Sequence, residues 1–114
     1  MCELSSLQHF FALLVNVQLS QEQLYHLENF KQKISQWDCT KIRQELVRLY
    51  KQLLTQKAIA TNPNLKSRDI DAMIAPHVNN FQWEIQSMRL EQLKACVIHL
   101  YELRLKQTNY LRQQ

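Results

Sequence analysis

Residues 90–106 read LEQLKACVIHLYELRLK. At 100° per residue, Leu90, Leu93, Cys96, Val97, Leu100, Tyr101 and Leu103 fall within an arc of about 160°, and Ile98 and Leu105 widen it to roughly 220°. Only Lys94 and Arg104 interrupt that arc. A helix so apolar around its circumference has to be covered on most sides, either by its own chain or by a partner. Upstream, Phe81, Ile85 and Met88 point to nearly the opposite side, so the apolar surface changes direction near Arg89.

The rest of the chain agrees with an all-helical reading. The 114 residues contain no glycine and two prolines, Pro63 and Pro76. Hairpin turns and phosphate-cradling loops both draw on glycine's freedom to adopt positive φ. Its absence argues against a turn-rich β fold and against glycine-rich nucleotide-binding motifs. Leu, Gln, Lys, Glu and Arg dominate, and all are good helix formers.

Walking back from residue 90, LSQEQL at 19–24 carries the clearest helix start. Ser20 can cap, Gln23 can complete a capping box, and Leu19 and Leu24 occupy the two staple positions. The helix that follows, to about residue 36, places Leu24, Leu27, Phe30, Ile34 and Trp37 on one side. Before it, Leu7, Phe10, Phe11 and Leu14 share a face of an expected first helix over about 6–17. After it, Asp38 or Thr40 caps a helix to about Lys57, with Ile42, Leu46, Leu49, Tyr50 and Leu53 facing inward.

The stretch ATNPNLKS at 60–67 is a loop, because Asn62 precedes Pro63 and is disfavoured from helical backbone. Ser67 then caps a short helix over about 68–75, which Pro76 is expected to end. The last helix is expected over about 80–111. The reading is a single helical domain over 1–114: a small bundle of about four main helices plus one short helix, with a long C-terminal helix. The segment 60–80 is its loop or hinge.

A helix of about 32 residues would be roughly 48 Å long, against a radius of gyration of roughly 13 Å for a compact domain of this size. The preceding helices are too short to cover it end to end. The sequence therefore points to a non-catalytic adaptor or regulator acting by protein–protein binding and self-associating through the C-terminal helix. Leu93, Val97, Leu100, Tyr101 and Arg104 are the candidate partner-binding residues. Trp83 and Tyr110 are further candidate anchors, since aromatic side chains are enriched in interface cores.

An alternative reading comes from charge. The formal net charge is +4, and residues 31–57 carry seven basic and two acidic side chains. Lys41, Arg43, Arg48 and Lys51 on the helix over 40–57 could contact phosphates in a DNA- or RNA-binding regulator. Glu45 lies among them and lowers their potential.

Nothing in the sequence specifies catalysis, a cofactor or a metal. Cys96 and His99 are spaced i, i+3, but zinc needs three or four ligands and no nearby residue completes the set. Asp69 and Asp71 are two apart and do not face each other on a helix. Cys2, Cys39 and Cys96 are odd in number and far apart, which fits a reducing compartment better than a disulfide framework. The apolar run at 7–19 is too short to span a bilayer. A cytoplasmic protein with no membrane role is expected.

Overall fold

The computed structural model describes residues 11–113. A 3-10 turn at Ala12–Leu14 is followed by α1 (Gln21–Ile34), α2 (Cys39–Thr61), α3 (Ser67–Gln86) and α4 (Leu90–Arg112). There is no strand among the described residues. The all-α architecture is the one the sequence indicates. Of the expected first helix, residues 6–10 lie outside the described residues.

The helix starts follow local chemistry. Ser20 Oγ accepts from the Gln23 backbone N–H at 3.1 Å, and Gln23 Oε1 accepts from the Ser20 N–H at 2.9 Å. These two bonds satisfy two of the N–H groups that a helix start leaves orphaned. Asp38 caps α2 by accepting from the Lys41 N–H at 2.9 Å.

α2 lies between α3 and α4, and α4 also packs against α1 and the 3-10 turn. The buried apolar side chains other than Leu27 form one contiguous core. At its centre Tyr50 and Phe81 stack at 4.2 Å, joining α2 to α3. Phe30 and Tyr101 stack at 4.1 Å, joining α1 to α4.

Helix boundaries differ from the expected ones at several places: the described part of the first helix is only the 3-10 turn at Ala12–Leu14, α2 runs on to Thr61, and Ser67 lies inside α3 with Lys66 at its cap. Two further differences shape the architecture. α3 does not stop at Pro76 but runs through it to Gln86. An interior proline forfeits its hydrogen bond and costs about 3 kcal/mol. Here Ile70, Ile74, Val78, Phe81 and Ile85 form one uninterrupted buried face across it. Burying side chains of that size contributes about 1.5–3 kcal/mol each, which outweighs the proline. Ala72 and Pro76 are exposed, so solvent can reach the carbonyl left without an N–H partner.

The second difference is at Ser87–Arg89, where the chain turns and α4 starts. The change in apolar direction near Arg89 therefore marks a corner rather than a repacked continuous helix. Gln92 Oε1 accepts from the Arg89 backbone N–H at 3.0 Å and secures the new start.

α4 has 23 residues, as does α2. Both are roughly 35 Å long at 1.5 Å per residue. α2 can thus cover α4 along its length, and the expectation of a 48 Å helix with uncovered ends is corrected. No residue from Leu93 to Leu111 is fully exposed. The wide apolar arc of residues 90–106 is buried mainly by the chain's own helices.

Candidate functional site

The periodicity that builds the core also determines what reaches the surface. Phe81 and Trp83 are two residues apart on α3, roughly 200° around the helix. Phe81 is fully buried, and Trp83 is 78% exposed. Trp83 borders an open groove of about 670 Å³ between α2 and α3. Val47 and Ile85 give that groove an apolar lining, and the amides of Gln44, Asn79, Gln82 and Gln86 surround it. Trp83 is the largest side chain among the exposed hydrophobic residues.

Arg43 lines the same groove, but its guanidinium is committed to the fold. It donates to the carbonyls of Ile85 (3.4 Å), Gln86 (3.3 Å) and Met88 (3.5 Å). Those carbonyls lie at the end of α3 and just beyond it, where helical partners run out and a cation is favoured. Sequence reading placed Arg43 among possible phosphate contacts and missed this role. The only local signal was a basic residue facing the α3 side of α2.

The other basic candidates are dispersed in their roles. Lys41 sits over the Trp37 ring at 4.6 Å. Arg48 pairs with Glu45 one turn earlier on α2, and the hydrogen bond to Glu45 holds the guanidinium proton more tightly than usual. Lys51 is exposed. These four residues do not form one continuous phosphate-facing row.

The candidate partner-binding residues on α4 separate into two groups. Leu93, Val97 and Leu100 are fully buried among α1–α4 and contribute to the core of this chain. In this fold they present no surface, because α2 occupies the side on which a partner was expected. Tyr101 and Arg104 are half-buried. Tyr110 is half-buried against the core as well.

Arg104 Nη1 donates to Gln107 Oε1 and Thr108 Oγ1, both at 3.2 Å. Its Nε is buried and has no acceptor. No carboxylate pairs with it among the described residues. Burial lowers the Arg104 pKa from its ordinary value, and the nearby charge of Arg48 acts in the same direction.

The sulfur chemistry requires a correction. Cys96 is disulfide-bonded, whereas Cys39 is free. The bonded state of Cys96 differs from the expectation of three unpaired cysteines. Cys96 in this state offers no thiolate to join His99 at a metal. Among the described residues, no group of three or more His, Cys, Asp or Glu is arranged to hold a metal ion. No described helix is long and apolar enough to cross a membrane.

The fold and its surfaces thus define a small all-helical bundle with an aromatic-edged groove and a half-buried, unpaired guanidinium. Comparison with protein-family models, with curated proteins and with solved structures finds no match to this chain.

Proposed function

We propose that this protein is a small non-catalytic adaptor or regulator that works by binding another protein through the α2–α3 groove. The exposure of Trp83 beside that groove carries the reading. Tryptophan is enriched among residues that dominate binding energy, and it anchors best where a partner can enclose it. Val47 and Ile85 supply an apolar floor, and the surrounding amides can hydrogen-bond to a partner backbone.

Self-association through α4 has less surface available than the sequence suggested, since only Tyr101 and Arg104 of the five candidates reach solvent. Light scattering at micromolar concentration tests it: a dimer supports self-association, and a monomer removes it. Nucleic-acid binding would rest on Lys41, Arg48 and Lys51, a short and interrupted set with Glu45 already paired to one member.

Affinity capture of the tagged protein from its native lysate, with and without nuclease, tests the main reading. A stoichiometric protein partner that survives nuclease and is lost from Trp83→Ala supports it. Loss of every companion on nuclease treatment would transfer the function to the basic residues of α2.

A further inference from the structure

A guanidinium carries five N–H donors and is seldom taken out of water without a carboxylate beside it. Arg104 departs from that pattern. Two neutral acceptors, on Gln107 and Thr108, share Nη1, while Nε is buried with no acceptor. The charge of Arg48 on α2, of the same sign, acts on it, and the carboxylate of Glu45 is already taken up by Arg48.

We propose that the Arg104–Arg48 surface, where α2 meets α4, docks an acidic segment of a protein partner, with one carboxylate pairing to the Arg104 guanidinium. This surface is separate from the Trp83 groove: Arg48 lies roughly 140° around α2 from Arg43, which faces α3. The inference goes beyond the groove reading and does not depend on it.

Charge complementarity identifies the occupant. Arg48 and Arg104 against the single carboxylate of Glu45 leave the α2–α4 seam positive, which favours an incoming carboxylate. The planar guanidinium matches a carboxylate in a two-bond arrangement. Lys51, exposed three residues from Arg48, adds a positive rim that favours approach of an acidic chain. Tyr101, one turn before Arg104 and stacked on Phe30, supplies an apolar neighbour. A nucleic-acid backbone would instead need a row of cations, and α2 lacks one because Arg43 is bound to the carbonyls ending α3.

The test uses the full chain and a capped helical peptide bearing glutamates along one face, with an all-glutamine twin as control. The glutamate peptide is expected to shift the Arg104 Nε–Hε magnetic-resonance signal saturably, and the glutamine twin to leave it in place. Arg104→Gln is expected to weaken glutamate-peptide binding by about tenfold or more, with a thermal midpoint equal to or above that of the wild type. A purely structural Arg104 would lower that midpoint and leave peptide binding unchanged, which overturns the proposal. Equal responses to the two peptides, or no response to either, overturn it as well. A single-stranded oligonucleotide that acts at lower concentration than the glutamate peptide, at about 150 mM salt, overturns it in favour of a phosphate ligand. Trp83→Ala should leave glutamate-peptide binding intact, so failure of the groove and failure of this surface are read separately.

Discussion

The Gln107 side-chain amide donates to the Leu53 main-chain carbonyl at 2.9 Å, inside the core and across the α2–α4 interface. Gln107 is the one buried polar residue among the described residues. Its Oε1 accepts from Arg104, so a single amide links the core to the surface guanidinium. Replacing it with methionine keeps the length of the side chain and removes both bonds. Gln107→Met is expected to lose about 1–3 kcal/mol, measured by urea unfolding. A variant as stable as the wild type would mean that the bond only satisfies groups that could be satisfied otherwise.

The contrast between Phe81 and Trp83 gives a paired prediction on one helix. Phe81 stacks on Tyr50 and is fully buried, so Phe81→Ala should cost about 3–5 kcal/mol. Trp83→Ala removes a larger ring from an exposed position and should stay within about 0.5 kcal/mol of wild type. Urea midpoints of the two variants check both values. A large loss for Trp83→Ala would place that ring in the fold and remove it from the binding argument.

Pro76 lies in the interior of α3 on its exposed side. Pro76→Ala restores the missing N–H and lifts the ring's clash with the preceding turn. The expected gain is up to about 3 kcal/mol, seen as a higher thermal midpoint with unchanged helical circular dichroism. A lower midpoint would show that the proline ring sets a helix geometry on which the core depends.

Burial lowers the His99 pKa below its ordinary 6.5, with the charge of Glu102 opposing and that of Lys106 assisting. The folded state therefore binds the proton less readily than the unfolded chain. The resulting stability is fully present above pH 6.5 and is lost as pH falls through the folded-state pKa. Wild-type protein should lose more stability than His99→Gln between neutral and mildly acidic pH, by urea midpoints at each pH. Parallel profiles for the two proteins would sink the linkage.

Local chemistry was the legible part of this fold. Ser20 with Gln23, and Asp38 alone, named two helix starts from side chains within three residues of the cap. Pro76 misled because its local preference was opposed by five apolar residues, which act only when a helix such as α2 is present to bury them. The reversal of apolar direction near Arg89 was visible, but one strand of sequence cannot distinguish a helix that changes partners from a chain that turns. Non-local polar contacts were not legible at all. Gln23 pairs with Asn109, and Lys106 reaches the Val15 carbonyl, across separations that periodicity does not register. For the candidate surfaces, the sequence named Trp83 as a candidate anchor without showing that it is exposed, and the burial of Leu93, Val97 and Leu100 depended on where α2 came to lie.

The central position of α4 also bears on how the protein is made. It is the last of the described elements to leave the ribosome, yet α1, α2 and the 3-10 turn all pack against it. Synthesis proceeds at about 5–20 residues per second, so the earlier helices emerge seconds before the surface that buries them. During that interval Phe30 lacks the Tyr101 ring that stacks on it, and the nascent chain is more open to chaperones and proteases than the finished fold. Stop codons or frameshifts near residue 90 should therefore yield chains that are degraded rather than shortened proteins with partial function.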